Sequence, residues 1–387
     1  MYKIHTMNKI SEKGLENFTD KYVRVERFED ANAILVRSAK MHDLDIPNTV
    51  EAIARAGAGV NNIPLEKCAD KGIVVFNTPG ANANAVKELV IASMILAARN
   101  ILGGINWVNS CSTDPDVAQL VEKNKSQFAG TEIKGKKLGV IGLGAIGALV
   151  ANSAIKLGME VYGYDPFISV EHAWRLSKWV KPIQTLEEIY RECDFITIHV
   201  PLTESNKGML NKEAFDQMKD GVIILNFSRD GLVEDMAMRE AIESGKVAKY
   251  VTDFPNSLVC GIDRVITIPH LGASTVESEE NCAQMAVSQV MDYLENGNIR
   301  NSVNYPNCDM GVCMQAGRIA INHRNIPNML GQFTSTLAQE NVNISDLMNK
   351  SKGAFAYTLI DIETPTTEEM ANKLRQIDGV LRVRIIK

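Results

Sequence analysis

Short apolar runs alternate with longer helix-like segments along most of the chain, a pattern typical of parallel sheets flanked by helices. In residues 1–98 the strand-like runs are Lys3–Met7, Ala33–Arg37 and Ile73–Asn77. An apolar-faced segment at Asn84–Asn100 follows them and predicts a long helix. The first block is therefore predicted to be a small parallel α/β unit.

The same alternation continues over residues 99–285, with more strands. The strand-like runs have helix-like segments between them, which predicts a doubly wound sheet. These runs are Leu138–Leu143, Val161–Tyr164, Phe195–Val200, Val222–Phe227, Tyr250–Asp253 and Val265–Ile268. A further helix is predicted over residues 275–294.

Residues 310–387 follow a β–α–β–β–α–β order, which predicts a ferredoxin-like fold. The predicted strands are Val312–Ile321, Val342–Lys350, Phe355–Ile362 and Val380–Ile386. The stretch Gly297–Asp309 before this block is polar, rich in turn residues and contains a proline. Its composition predicts a linker.

A glycine motif follows the strand-like run at Leu138–Ile141, because Gly142, Gly144 and Gly147 have the spacing G-x-G-x-x-G. In dinucleotide-binding units these glycines allow a tight turn, close approach of a pyrophosphate, and close packing of helix on strand. The N–H groups at the helix start favour phosphate there. Asp165 ends the next strand-like run, eighteen positions after Gly147. It would bind the ribose hydroxyls and repel a 2′-phosphate, so the motif predicts NAD rather than NADP. The alternative is an ordinary β–α turn followed by a surface aspartate.

The composition of the chain argues against several classes of protein, including nucleic-acid-binding, membrane and metal-binding proteins. The chain has 387 residues and a formal net charge of −6, with no basic run, so we expect no nucleic-acid partner. The longest apolar segment, Leu89–Ala98, is too short to cross a bilayer, and the N-terminus lacks the apolar region of a signal peptide. The seven cysteines are irregularly spaced without a C-x-x-C pair. We therefore expect reduced thiols in a cytoplasmic protein with no metal site and no membrane partner.

Polar residues that follow the predicted strands are the candidates for chemistry, because ligands of doubly wound sheets bind beyond the carboxyl ends of the strands. Arg229 could hold a carboxylate with two parallel hydrogen bonds, although it could also be a surface arginine. His270 lies just before a predicted helix, where a neutral imidazole could take a proton from a hydroxyl; a structural histidine is the alternative. In the first block, the small-residue turn at 56–61 could form an anion-binding nest.

Taken in order, several segments resemble the D-isomer-specific 2-hydroxyacid dehydrogenases: GAGVNNI, NTPGANANAVKELV, GKKLGVIGLGAIG, HVPLTESNKGMLN, NFSRDGLVED and PHLGAST. The last block, with AINHRNIPNML and ENVNI, resembles an ACT domain, an amino-acid-sensing module. The resemblance implies a substrate-binding domain at 1–98, completed by a helix at 286–300, an NAD-binding Rossmann domain at 99–285 and an ACT regulatory domain at 310–387. The expected fold class is thus α/β, with two doubly wound parallel-sheet domains and a C-terminal ferredoxin-like domain.

The resemblance also implies an activity and its residues. The expected reaction is NAD-dependent oxidation of 3-phospho-D-glycerate to 3-phosphohydroxypyruvate, the first step of L-serine biosynthesis. Arg229 would bind the substrate carboxylate and carbonyl, and His270 would be the general acid and base. The substrate site would further contain Arg37, as the leading candidate for the phosphate, with Ser38, Gly59, Val60 and Asn82. NAD would contact Gly142, Gly144, Ala145, Ile146, Gly147, Asp165, Pro201, Phe227, Ser228, Asp253 and Gly272.

Partners follow from the same resemblance. His323 and Asn325, with Asn343 of a second chain, match positions that bind serine in relatives, so serine is the expected effector. A homodimer through the nucleotide domains or a homotetramer is expected. Two other functions stay open: a dehydrogenase of an unphosphorylated 2-hydroxyacid, and a non-catalytic NAD-sensing protein similar to a corepressor.

The chain departs from the family pattern beside the expected acid–base residue. The family places a glutamate, which pairs with the histidine, five residues after the position of Asp253, and here that position is Leu258. We expect Asn256 or a backbone carbonyl to orient His270 instead. The Gly-Gly that usually follows the arginine is Asp230-Gly231.

Two other departures lie elsewhere. The usual Pro-Gly of the ACT loop is Pro327-Asn328. Lys87 stands where relatives carry a small residue, near the start of the predicted long helix. It is either a solvated lysine or a cation that faces the substrate.

Overall fold

The computed structural model describes the whole chain, Met1–Lys387, and its chain contacts divide it into two compact units. The first unit consists of Met1–Asn82 and Val276–Lys387, and the second of Ala83–Thr275.

The strands are β1 (Tyr2–Thr6), β2 (Tyr22–Arg24), β3 (Ala33–Val36), β4 (Ala52–Arg55), β5 (Val74–Phe76), β6 (Lys137–Ile141), β7 (Glu160–Tyr164), β8 (Lys181–Pro182), β9 (Phe195–Ile198), β10 (Val222–Asn226), β11 (Val247–Thr252), β12 (Val265–Thr267), β13 (Gly317–Arg324), β14 (Ile344–Lys352), β15 (Phe355–Ile362) and β16 (Val380–Ile385). The helices are α1 (Glu12–Leu15), α2 (Leu65–Asp70), α3 (Ala83–Ala98), α4 (Ile101–Ser110), α5 (Val117–Asn124), α6 (Ala145–Lys156), α7 (Val170–Arg175), α8 (Leu186–Glu192), α9 (Lys212–Gln217), α10 (Asp235–Glu243), α11 (Val276–Asn296), α12 (Met329–Gln339) and α13 (Glu368–Arg375), with short 3-10 turns at Phe28–Asp30 and Lys125–Phe128.

The first unit is built on a five-stranded sheet in the order β2-β1-β3-β4-β5, and all its strand pairs are parallel. This is one of the common orders of doubly wound folds. The apolar pattern predicted β1, β3 and β5, but it missed β2 and β4. Both missed strands are short, and AIAR of β4 runs directly into the glycine-rich turn that follows it.

The second unit contains a seven-stranded parallel sheet in the order β12-β11-β10-β9-β6-β7-β8. β6 lies between β9 and β7, so the chain winds outward in both directions from the strand that carries the glycine motif. This confirms the predicted doubly wound sheet. Every predicted strand of this block is present, and only the two-residue edge strand β8 was not foreseen.

Helix α3 belongs to the second unit, whereas the domain predicted from sequence at 1–98 included it. Val90 and Met94 of this helix are buried in the same apolar cluster as Leu138 and Val140 of β6. The apolar face of α3 thus covers the second sheet, and this packing explains the different boundary.

No single helix is long and apolar enough to span a membrane. Helices α3 and α4 together have the length and composition of a span, but the pair is bent by 68°.

The C-terminal residues form the predicted ferredoxin-like fold, an antiparallel sheet in the order β14-β15-β13-β16 with two helices. Phe333 and Leu337 of α12 and Leu374 of α13 pack on one face of this sheet. Tyr357 and Leu359 on the opposite face join the apolar cluster of the first sheet and α11. The C-terminal fold therefore shares a core with the N-terminal sheet.

The segment 297–309 is mostly buried, so its interpretation as a linker is wrong. Ile299 and Tyr305 are fully buried, and the Tyr305 hydroxyl donates to the carbonyl of Ala69 at 2.7 Å. The Asn304 amide donates to Ile73 O at 2.9 Å, and its oxygen accepts from Val75 N at 2.9 Å. The polar residues that suggested a solvated loop instead satisfy backbone groups around β5.

Two arginines of the C-terminal sheet cap the end of α11. Arg318, fully buried, donates to both carboxylate oxygens of Asp361 at 2.5 and 2.7 Å and to the carbonyl of Asn296 at 2.9 Å. Arg384 donates to the carbonyls of Tyr293 and Leu294 at 3.1 and 3.2 Å. Cations at a helix C-terminus bond its free carbonyls and complement the helix dipole. These contacts tie the C-terminal sheet to α11.

Candidate functional site

The glycine loop of the second unit has the geometry of a phosphate-binding turn. Gly142 has φ +90°, and a Cβ there would lie 2.6 Å from the carbonyl oxygen of His199. A Cβ on Gly147 would meet the carbonyl oxygen of Gly142 at 1.9 Å, so only glycine lets α6 approach β6 this closely. A Cβ on Gly144 would meet nothing within 4 Å, and no side chain caps α6 at this residue. The loop thus leaves open space at the helix N-terminus, next to Ala145 and Ile146.

Asp165 lies directly after β7, where its side chain is tied to the glycine loop. Its Oδ2 accepts a hydrogen bond from the N–H of Leu143 at 2.8 Å, and its Oδ1 accepts from the N–H of Phe167 at 2.9 Å. Each carboxylate oxygen has a second lone pair for a further donor. The arrangement fits a ribose diol beside the glycine loop.

Asp253 follows β11 and is only 2% exposed. Its Oδ2 accepts from the N–H of Gly272 at 3.1 Å, while its buried Oδ1 has no hydrogen-bond partner. Burial raises the pKa of this carboxyl, and the N–H of Gly272 and the charges of His270 and Arg229 act in the opposite direction. A buried acceptor without a donor is costly, so a ligand that donates a hydrogen bond to Oδ1 would stabilise the site. The carboxamide of nicotinamide is such a donor, and the residues present therefore fit NAD.

Arg229, Asp253 and His270 follow the adjacent parallel strands β10, β11 and β12 of the second sheet. His270 lies three residues after β12, with an exposed side chain, and Arg229 lies three residues after β10. The His270 ring packs edge-on against Phe254, with ring centroids 4.9 Å apart and an interplanar angle of 61°. The structure thus brings together three residues that the sequence proposed separately.

The expectation that Asn256 orients His270 is wrong. The Asn256 amide donates to Asp235 at 2.9 Å, and its oxygen accepts from the N–H groups of Leu258 and Val259 at 2.9 and 3.3 Å. Asn256 therefore holds the turn that replaces the family's glutamate. Phe254 is the residue that packs against the imidazole, and the sequence analysis did not single it out. Its place directly after Asp253 was the only signal.

Arg229 is exposed, and its Nη1 donates to the carbonyl of Ser228 at 2.6 Å. The carbonyl of Arg229 accepts from the Asn226 amide at 3.0 Å, which anchors the turn to the end of β10. The guanidinium keeps further N–H donors for a carboxylate. The Ser228 hydroxyl donates to the carbonyl of Val200, and this bond joins the turns after β9 and β10.

The remaining predicted ligand-binding residues of the second unit differ in burial and location. Phe227 is buried at the end of β10, whereas Pro201 is exposed after β9 and its carbonyl accepts from the Asn206 amide at 2.7 Å. Lys87 lies in α3 with its side chain 18% exposed, and its Nζ is 3.5 Å from the carboxylate of Glu88. Most of its side chain is covered, and its role toward a substrate stays a prediction.

In the first unit, Arg37 follows β3 and makes an ion pair with Glu279 of α11, at 2.7 Å between Nη2 and Oε1. Its backbone N–H donates to the side chain of Asn8 at 3.0 Å, and the Asn8 amide donates to the Ser38 hydroxyl at 3.0 Å. Asn82 is the last residue of the unit before α3. The predicted phosphate-binding arginine thus already has a carboxylate partner.

Arg55 is a second cation at this edge of the first sheet, and the sequence pattern did not indicate it. It ends β4, and its Nε donates to the carbonyl of Arg37 at 2.9 Å. The next turn carries Gly59 and Val60, and none of its backbone hydrogen bonds uses their N–H groups. Because the neighbouring strands β3 and β4 end together, the Arg55 side chain reaches the backbone of Arg37, which directly follows β3. That neighbourhood could not be read from sequence without placing β4.

The predicted effector residues lie in the C-terminal sheet and its loops. Both ring nitrogens of His323 are engaged, with Arg324 O at 2.8 Å and with Thr358 Oγ1 at 2.9 Å, and burial lowers the pKa of this histidine. Asn325 and Asn343 are exposed. Asn328 has φ +66°, the left-handed conformation that glycine takes easily and asparagine tolerates, which explains its place after Pro327. The effector roles of His323, Asn325 and Asn343 stay predictions.

No group of three or more His, Cys, Asp or Glu side chains is arranged to hold a metal ion. The side chains that follow β10, β11 and β12 in the second unit include an arginine, a carboxylate and a histidine. They can hold an anion, accept a proton and complete a nicotinamide site.

Comparison with known proteins agrees with this geometry. Residues 91–272 match the family model described as D-isomer specific 2-hydroxyacid dehydrogenase, NAD binding domain. The D-3-phosphoglycerate dehydrogenase of Haemophilus influenzae is 30% identical over 378 residues, which cover 93% of this chain and 88% of that protein. The chain belongs to the D-isomer-specific 2-hydroxyacid dehydrogenase family. The predicted family, NAD cofactor and dehydrogenase class are therefore confirmed.

Two further relatives match a smaller share of this chain, 72% and 78%. The D-3-phosphoglycerate dehydrogenase of Archaeoglobus fulgidus is 36% identical over 290 residues, but the match spans only 52% of that protein. A crystal structure of 3-phosphoglycerate dehydrogenase from Entamoeba histolytica with bound NAD⁺ superposes with a TM-score of 0.61 at 30% identity. It covers 78% of this chain and 98% of that one.

Proposed function

We propose that this dehydrogenase oxidises 3-phospho-D-glycerate to 3-phosphohydroxypyruvate with NAD, the first step of L-serine biosynthesis. The observation that carries the proposal is that Arg229, Asp253 and His270 follow the adjacent parallel strands β10, β11 and β12, because these groups serve a 2-hydroxyacid beside a nicotinamide. Arg37 and Arg55 support the phosphorylated substrate, since they lie at the ends of the neighbouring strands β3 and β4 and two guanidinium groups can bind one phosphate. The names of the full-length and partial relatives agree with it.

The residues divide the reaction between them. Arg229 binds the substrate carboxylate and stabilises negative charge on the adjacent C2 oxygen. Neutral His270 accepts the proton of the C2 hydroxyl, and its exposed ring returns that proton to water. Bound NAD supplies the acceptor for the hydride that leaves C2. Phe254 holds the imidazole by packing, in place of the carboxylate that other family members use.

The test is a substrate panel with the purified protein, with NAD and NADP compared in each case. We expect turnover of 3-phospho-D-glycerate with NAD, and at least about tenfold lower kcat/KM for D-glycerate and D-lactate, because they lack the phosphate. Preferred turnover of D-glycerate or D-lactate would favour an unphosphorylated substrate. Tight NADH binding with no turnover of any hydroxyacid would favour the sensing protein. Repeating the panel with serine tests the proposed effector.

We also propose a homodimer that covers α4. This helix has no buried residue, and Leu102, Ile105 and Val108 expose apolar side chains, with Ile105 50% exposed. Contiguous exposed apolar side chains mark interaction surfaces, and most soluble oligomers are symmetric assemblies of one chain. A tetramer through the C-terminal sheets is the larger alternative.

We further propose a cytoplasmic location. The free state of all seven cysteines supports it.

We expect Ile105→Glu to convert the dimer to a folded monomer, because a charge would be buried at the interface. Analytical ultracentrifugation measures the change, and circular dichroism checks the fold. Val170→Glu on α7 is the matched control, since Val170 is also exposed. A variant that keeps the wild-type sedimentation coefficient would show that α4 lies outside the interface.

A further inference from the structure

We propose that Glu279 is a specificity-determining residue that competes with the substrate's phosphate for Arg37. The inference rests on the proposed function, because that function assigns the phosphate to the arginines after β3 and β4. Nothing in the family pattern quoted above assigns a role to this glutamate. Its position follows from the ion pair in the first unit.

The ion pair is one that another anion can replace. The side chains of Arg37 and Glu279 are 42% and 43% exposed, and exposed ion pairs contribute little net free energy because water solvates both charges. A phosphate monoester carries about −1.5 to −2 charges near neutral pH and offers three acceptor oxygens. It therefore binds a guanidinium more strongly than one carboxylate does.

The charges around Arg37 strengthen the competition between Glu279 and a phosphate. Arg37 and Arg55 contribute two positive charges, and their residues are joined by the bond from Arg55 Nε to Arg37 O. The Glu279 carboxylate adds one negative charge next to Arg37. The Cys282 thiol interacts with all three groups, but burial raises its pKa, so it stays neutral and adds no charge. Glu280, one residue further along α11, is paired with Lys13 at 2.6 Å and does not contribute to this cluster.

Glu279 is placed by its helix rather than by Arg37. It lies in the first turn of α11, where the helix dipole favours a carboxylate. When phosphate binds, the flexible arginine side chain exchanges partners and Glu279 stays close by. The remaining carboxylate then repels the phosphate, and this repulsion lowers phosphate affinity further.

This arrangement weakens the binding of every anion that needs Arg37. Inorganic phosphate and the phosphate group of a phosphorylated hydroxyacid must both displace Glu279, so both lose affinity by a similar factor. An unphosphorylated hydroxyacid does not displace it. Glu279 would thus lower the preference for the phosphorylated acid over D-glycerate.

The test measures Glu279→Gln against Glu280→Gln, which removes a similar charge from the same helix but leaves the Arg37 pair intact. We expect Glu279→Gln to lower KM for 3-phospho-D-glycerate and Ki for inorganic phosphate by about three- to tenfold. Glu280→Gln should change both by less than twofold. KM for D-glycerate should stay the same in both variants. A thermal-shift titration with inorganic phosphate measures the same change without turnover.

Unchanged phosphate binding in Glu279→Gln would overturn the inference, because Glu279 would then have no effect on phosphate affinity. Weaker binding would also overturn it, because Glu279 would then be needed to position Arg37. An equal gain in Glu280→Gln would also overturn it, since the effect would be one of total charge. A different result would contradict the proposed function: a wild-type protein that does not prefer 3-phospho-D-glycerate to the unphosphorylated hydroxyacids. In that case the phosphate titration still decides whether Glu279 competes with an anion.

Discussion

His270→Ala is expected to lower kcat for the hydroxyacid by about 100- to 10,000-fold, because the proton of the C2 hydroxyl loses its acceptor. The affinity for NADH should stay within about twofold, since the glycine loop, Asp165 and the unpartnered oxygen of Asp253 do not depend on the imidazole. Stopped-flow or steady-state kinetics measure kcat, and fluorescence titration measures NADH binding. Added imidazole should restore part of the activity, because the ring of His270 is exposed and leaves an accessible space.

Two further variants separate chemistry from position. Phe254→Leu keeps the proton acceptor but removes the ring that packs on it, so we expect a decrease in kcat of only about three- to thirtyfold. His172→Ala on α7 is the control, because this histidine lies outside the Asp253 group. Retention of more than a tenth of wild-type kcat in His270→Ala would exclude His270 as the base.

Arg229→Gln should have the second large effect, a loss of about 2–5 kcal/mol in transition-state stabilisation, because it removes the charge that binds the substrate carboxylate. This corresponds to a decrease in kcat/KM of roughly 30- to 5,000-fold. Arg229→Lys keeps the charge but not the two parallel donors, so it should recover only part of the loss. The measurement is kcat/KM for 3-phospho-D-glycerate.

The matched control for this arginine is Arg239→Gln. Arg239 lies on α10 and pairs with Glu243 at 2.9 Å on the surface, away from the turn that carries Arg229. It should leave kcat/KM unchanged. Equal behaviour of the two variants would mean that Arg229 is a surface arginine, the alternative left open by the sequence.

Local patterns predicted most of the fold. Strands such as β6, β9 and β10 are buried on both faces, so each is a continuous apolar run that can be recognised without its neighbours. The antiparallel C-terminal sheet was likewise recognisable from its order of elements. The failures fell where local pattern is weak: the three-residue β2, the two-residue β8, and β4, which merges with a glycine-rich turn.

The site was predicted less completely than the fold. Arg229, His270 and Asp253 were each found because they follow predicted strands, and parallel strands of one sheet present their carboxyl ends at one edge. Phe254 and Arg55 were missed, since their importance comes from the side chain that each contacts. Asn256 was assigned to the imidazole, but its amide and oxygen complete a turn with Asp235 and nearby backbone instead.

The two parallel sheets, the ferredoxin-like C-terminus and an NAD site with a 2-hydroxyacid dehydrogenase pattern could be predicted from the amino-acid sequence. These features depend on residues close together in the chain, where periodicity and glycine spacing act directly. Tertiary structure decided that residues 297–309 are buried, that Arg318 and Arg384 cap α11, and that Glu279 pairs with Arg37. Those contacts join residues far apart in the chain, and their free energies depend on distances that exist only after the chain has folded.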